Sequence, residues 1–204
     1  MSLRNKIYFS FLALTLMVIL NACVPAINLQ REQLSKGDMN KGSVVVGTVL
    51  NKRAEGYGGE GFDFIGTVRG GFGNPFHLKT KPGRDLETVL KETARASLEH
   101  TGYSPDPVDG KSLRLDIDLL DFWCDGYVGY KVYATIEAKL VNPTNRNVLA
   151  QKKINVEKGF SLNMSYGQMH EQFDNVINDI QKELVEFMQS QEFRNAVKMQ
   201  LKPA

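Results

Sequence analysis

Four aspartates, Asp116, Asp118, Asp121 and Asp125, recur within one short stretch. On an extended strand Asp116 and Asp118 project from the same side, about 7 Å apart. Such a pair can pass a proton between acid and base, or share a calcium ion. No calcium-loop spacing is present, and Arg114 and Lys131 lie nearby, so a solvated, charge-balanced face is the expectation. The cluster Gly56-x-Gly58-Gly59-x-Gly61 invites comparison with a phosphate cradle. A dinucleotide loop must run directly into a helix whose N-terminus meets the phosphate. Here Phe62-Asp63-Phe64-Ile65 follows, which is strand-like, and no Gly-Lys-Ser/Thr closes the cluster. What remains is a long loop with aromatic contacts at Phe62, Phe64, Phe72 and Phe76. Trp123, Tyr127, Tyr130 and Tyr133 form a second aromatic group, in which alternation sets Tyr127 and Tyr133 on the face opposite Tyr130 and the core. Aromatics of this kind support peptide or glycan binding. Phe62, Phe64, Phe72, Tyr127 and Tyr133 are therefore the candidate partner-binding residues. His77, His100 and His170 are far apart, no His/Cys pair has ligand spacing, and no Gly-x-Ser-x-Gly elbow occurs. No catalytic residue, metal or cofactor is expected, and the chain is not expected to be an enzyme.

The N-terminus carries a different kind of chemistry. Arg4 and Lys6 precede an uncharged run, Ile7 to Leu20. That run is shorter than the ~20 apolar residues of a membrane-spanning helix and fits the apolar core of a secretory signal. Leu20 is too bulky for its place before an ordinary signal-peptidase cut after Ala22. Leu20-Asn21-Ala22-Cys23 instead resembles a bacterial lipobox. The resemblance implies a signal peptide over 1–22, cleavage after Ala22, diacylglycerol on the Cys23 sulfur and acylation of the new amino terminus. One acyl chain holds a protein to a bilayer only marginally, whereas several hold it stably. Val24 is not aspartate, which implies sorting to the outer membrane of a didermic host, facing the periplasm. Once Arg4 and Lys6 are removed, the basic residues balance the 23 acidic ones. Neither nucleic acid nor anionic lipid is then an expected electrostatic partner. Cys124 is left without a partner in the chain and is expected in the core.

The elements that must position these residues follow from periodicity. Hydrophobic residues are 42% of the chain and charged residues 24%, a globular balance that excludes disorder and multispan membrane proteins. Residues 23–42 are expected to be the lipidated N-terminus and a flexible tether, with too little patterned apolar surface to order itself. Residues 43–204 are expected to form one domain. Ser43–Asn51 reads as a buried strand, and shorter strands are expected at 62–69 and 75–80. Leu86, Val89, Leu90, Ala94 and Leu98 share one helical face, ended by Gly102. Leu113, Leu115, Ile117 and Leu119 alternate with charged residues, and the doubled Leu119-Leu120 predicts a bulge. Asp125-Gly126 predicts a hairpin turn, with a long alternating strand from Val128 to Leu140. A more polar strand, 148–160, precedes a helix opened by Ser165 and Gln168. Its stripe runs through Met169, Phe173, Val176, Ile177, Ile180, Leu184, Phe187 and Met188. A short last helix starts at Gln191. Strands with one polar face need cover on one side only. The expected fold is an α/β (α+β) two-layer sandwich, a mixed, mostly antiparallel sheet with two main helices on one face.

This arrangement resembles the uncharacterised bacterial lipoproteins typified by YajG, over about residues 43–197. The likeness is clearest at Arg84-Asp85-Leu86, at Gly102-Tyr103 and at Val156-Glu157-Lys158-Gly159-Phe160. It implies a periplasm-facing, lipid-anchored domain and supplies no catalytic residues. The expected role is non-enzymatic binding or accessory work with an envelope protein. The alternative is a small-ligand carrier or sensor with a pocket between sheet and helices.

Overall fold

The computed structural model describes residues 26–69, 75–108, 112–126, 131–161 and 166–201. The elements are β1 (Val44–Asn51), β2 (Phe64–Arg69), β3 (Pro75–Lys79), α1 (Leu86–Thr101), β4 (Leu113–Gly126), β5 (Lys131–Val141), β6 (Val148–Gly159), α2 (Tyr166–Gln189) and α3 (Gln191–Leu201). The 14-residue β4 is the axis of a six-stranded sheet. Along one edge it pairs antiparallel with β5, which pairs antiparallel with β6. Its other edge is shared. β1 runs parallel to residues 113–119 and β2 runs parallel to residues 124–126, with β3 antiparallel to β2. The result is the two-layer sandwich with a mixed, mostly antiparallel sheet that the alternation implies.

The helical stripes supply the second layer. Leu86, Leu90 and Leu98 of α1 and Phe173, Ile177, Ile180 and Leu184 of α2 are fully buried against Leu115, Ile117, Phe122, Ile136 and Leu140 of the sheet. Phe122 and Phe173 stack across the interface with ring centroids 6.1 Å apart. Burying each such side chain contributes roughly 1.5–3 kcal/mol. Asp85 caps α1 by accepting the Thr88 N–H at 2.8 Å. Gly102 ends it in the left-handed region, φ 88°, where a side chain would be strained. Cys124 is a buried thiol in this core, and burial pushes its pKa up to about 12.

The pairing shifts register between Leu119 and Asp121, as the doubled leucine predicts. The predicted turn at Asp125-Gly126 is a correction. Both residues remain in β4, with Asp125 opposite Lys131, and the turn falls on 127–130, outside the described residues. Gly126 is there for closeness rather than for turning, since a Cβ on it would stand 2.5 Å from Val68 Cγ1 of β2. The Ser165 cap also lies outside the described residues.

The larger correction concerns the expected tether. From Ala26 onward it lies on the domain as an ordered strap. Ile27 and Leu29 are fully buried. The Ile27 N–H donates to Lys79 O and its carbonyl accepts from the Lys81 N–H, both at 2.8 Å. Alternate backbone donors then meet one face of α2. Asn28 N–H donates to His170 Nε2 at 3.1 Å, Gln30 N–H to Asp174 Oδ1 at 2.8 Å, and Glu32 N–H to Asn178 Oδ1 at 2.7 Å. Four-residue helical spacing thus matches two-residue strand spacing, about 6 Å in each case. Further on, Gly37 N–H donates to Glu99 O at 2.9 Å and Lys41 Nζ to Thr101 O at 2.7 Å, so the strap also closes the end of α1. The sequence pattern misses this because only two apolar residues alternate, and their partners are more than 140 positions away.

His170 can accept from Asn28 only through an unprotonated Nε2. His170→Phe keeps the ring and removes the acceptor. The Asn28 amide is expected to exchange with deuterium roughly tenfold faster in that variant, equivalent to losing about 1.4 kcal/mol of protection. Gln30 and Glu32 should change less, and residue-resolved exchange measured by NMR checks this.

Candidate functional site

The sheet face turned away from the helices divides into two halves. One half is ionic. Asp116 accepts two hydrogen bonds from Arg114, at 2.7 and 3.1 Å, and Asp116 Oδ1 accepts the Thr48 N–H at 2.9 Å. The latter fills the register break between Val46 and Val49 of β1. Asp118 accepts from Lys139 at 2.6 Å and from Lys52 at 2.7 Å. Its side chain is only 5% exposed, which corrects the expectation of a solvated carboxylate. Burial alone would raise its pKa, but the hydrogen bonds from Lys139 and Lys52 outweigh burial and hold it below the ordinary value. These two carboxylates are held by cations and are not arranged as an acid–base pair. Among the described residues no group of three or more His, Cys, Asp or Glu side chains could hold a metal ion.

The other half is aromatic. Trp123 leaves the core and is covered by the glycine-rich loop. Its ring lies 5.1 Å from Tyr57 and 5.0 Å from Phe64, the latter edge-on, and Phe64 meets His77 at 4.9 Å. Tyr133 stands opposite Trp123 on β5. Tyr57, Trp123 and Tyr133, with Gly56, Thr67, Pro75 and Asp125, line an open cleft of about 550 Å³. A neighbouring cleft of about 410 Å³ is lined by Phe64, His77, Glu60, Gly61, Asp63 and Lys79. Acidic groups surround both. Burial pushes the Tyr133 hydroxyl up to about 12, and Asp121, Tyr57, Asp125 and Glu157 add to the effect. Burial also raises the pKa of Asp121, partly offset by the Phe122 backbone and Arg53. Asp63 is lowered, mainly by its hydrogen bond from Lys79.

Arg53 positions this half. It is 5% exposed and sits where β1 has left β4 and β2 has not yet joined it. Its guanidinium donates to Phe64 O at 2.8 Å, Phe122 O at 3.2 Å, Asn51 Oδ1 at 3.0 Å and Gly61 O. Burial lowers it to about 10, so it stays charged at neutral pH, supported by Asp121, Glu60 and Asp63. Gly58 packs directly on it, since a Cβ there would lie 2.3 Å from Arg53 Nη1.

Of the sequence-derived candidates, Phe64 and Tyr133 come together at this site. Phe62 packs against the core and is only partly buried. Phe72 and Tyr127, and likewise Ala22 and Cys23, lie outside the described residues. Tyr57, His77 and Arg53 were not anticipated. An aromatic residue standing between Gly56 and Gly58 was the available signal for Tyr57. Arg53 offered none, because its partners are mostly backbone carbonyls.

No family model matches the sequence, and no curated protein does. Among solved structures the chain is similar to a Xanthomonas campestris protein of the DUF330 family, with TM-score 0.58 and 15% identity, over 86% of this chain and 98% of that one. It also aligns with a protein described as a neuraminyllactose-binding hemagglutinin homolog from Helicobacter pylori, at TM-score 0.44 and 14% identity, over 86% and 98% of the two chains. A Neisseria meningitidis lipoprotein aligns at TM-score 0.37 and 17% identity, over 69% and 98%. The first of these shows a shared fold. Among the described residues no helix is long and apolar enough to cross a membrane.

Two consequences are measurable by urea denaturation. Arg53→Met leaves several buried carbonyl oxygens without donors and should cost about 3 kcal/mol or more. Asp118 has a depressed folded pKa, so its contribution is present above the unfolded value of about 3.9 and disappears as pH falls through the lower folded value. Asp118→Asn should therefore destabilise by roughly 1–3 kcal/mol at pH 7, with the difference from the parent shrinking below about pH 4.

Proposed function

We propose that this chain is a lipid-anchored, periplasm-facing envelope lipoprotein of the kind typified by YajG, which binds a protein partner through the outer face of its sheet and carries out no catalysis. The anchor rests on Leu20-Asn21-Ala22-Cys23, and the outer-membrane address on Val24. The observation that carries the binding reading is the position of the concave surface. The 550 Å³ cleft opens on the outer face beside Tyr57, Trp123 and Tyr133. A carrier would need its cavity between sheet and helices, where fully buried Phe122, Phe173, Ile177 and Leu184 are packed together. Carboxylates that could have served as a catalytic pair are held by Arg114, Lys52 and Lys139.

Cys23→Ala is expected to accumulate as unprocessed precursor that takes up no labelled palmitate. In cells, a photocrosslinking residue at position 57 should give a discrete adduct with one envelope protein, and the adduct should be lost when Tyr133→Ala is added. The same residue at position 199, exposed on α3, should not give it. Palmitate on the Cys23→Ala chain, or no adduct at position 57, would overturn the reading.

A further inference from the structure

We infer that the aromatic cleft receives lysine or arginine side chains of the partner, the alkyl stem lying on the rings and the cationic head meeting the carboxylates. This rests on the reading that the outer face meets a protein, and it names the chemistry of that contact. Three observations support it. First, the lining combines the rings of Tyr57, Trp123 and Tyr133 with the carboxylate of Asp125. Aromatic faces attract cations, and more so where water is partly excluded. Second, the field is acidic. Asp121, Asp125 and Glu157 all act on the Tyr133 hydroxyl, and Glu60 and Asp63 flank the adjoining cleft. The nearby Arg53 is already committed to carbonyl oxygens beneath the surface. Third, the chain supplies an example of such a contact. Lys131 places Nζ 5.3 Å from the centroid of the Tyr133 ring and 2.9 Å from Glu157 Oε2. A side chain with an apolar stem and a charged tip thus already lies on this ring with its head on a carboxylate. A cationic side chain from outside finds the equivalent pairing of ring and acid at Tyr57 and Asp125, where Tyr57 is 53% exposed.

Trp123 is the chain's one tryptophan and lines the cleft, so its emission reports occupancy without a label. The full lipidated chain, held in a neutral detergent, is titrated with blocked tri-lysine and tri-arginine peptides. The controls are the acetyl-lysine tripeptide, with the same stem but no charge, and tri-glutamate. A saturable change in Trp123 emission is expected with the cationic peptides. Binding should be at least tenfold weaker for the acetylated peptide, and weaker still at high salt. Asp125→Asn and Tyr57→Ala should each weaken tri-lysine binding at least threefold, with unchanged thermal unfolding showing that the fold persists. The inference is overturned by the absence of a saturable change, by equal binding of the acetylated peptide, or by an unaltered affinity in both variants. A response to glucosamine oligomers but not to the peptides would also overturn it. An adduct from position 57 without any peptide response would leave the binding face standing and remove this chemistry.

Discussion

A sheet that changes partner strands midway along one edge leaves backbone carbonyls facing a gap, and a single buried guanidinium closes it here. β4 is served by β1 over its first half and by β2 at its end. Between them Phe122 O, Phe64 O and Gly61 O converge on Arg53. A planar fork of five donors can answer several acceptors at once, which neither lysine nor an apolar side chain can do. The cost is desolvation of a charge, which is why Arg53 is drawn down to about 10 while remaining protonated. Without this plug the glycine loop would have no fixed floor. Tyr57 and Phe64 would then lack the geometry that brings them onto Trp123.

The register shift between Leu119 and Asp121 has a related consequence. Without the extra residue, every position after Leu119 would turn to the opposite face. With it, Phe122 and Cys124 stay in the core while Trp123 and Asp125 continue the outer row begun by Asp116 and Asp118. The same row therefore changes character along its length. Where Lys52, Lys139 and Arg114 reach across, the carboxylates are neutralised and the surface is a closed ionic lattice. Beyond the bulge, rings replace the lysines and a cleft opens. A stable half thus adjoins an open half on one continuous strand.

Periodicity made the layers legible. The stripe of α2 and the alternation of β4 and β5 locate the core almost residue by residue, because burial area dominates their energetics. It also placed Tyr133 on the outer face. Alternation tells which face a side chain occupies but not what crosses above it, so Asp118 read as solvated although lysines from β5 and from the end of β1 cover it. Arg53 and the strap were illegible for a common reason. Their partners are carbonyl oxygens and distant helix acceptors, which leave no trace in local residue pattern. Tyr57 was hidden by its glycines, which mark a loop without indicating what the loop lies against.

The strap also changes what lipid anchoring would mean mechanically. A free tether from Cys23 to Ser43 could extend roughly 70 Å at full stretch. The strap is already fixed to α2 and β3 by Ile27, so only the links from Cys23 to Ala26 remain, spanning at most about 10 Å. On the proposed reading the domain is therefore held against the lipid surface and does not sweep the periplasm. Its orientation is set by the corner where Ile27, Lys79, Arg84 and His170 meet. Anchoring of this kind restricts rotation as well as distance. A partner is then met at a defined height above the membrane, and the entropy of ordering a long linker is already met by the fold.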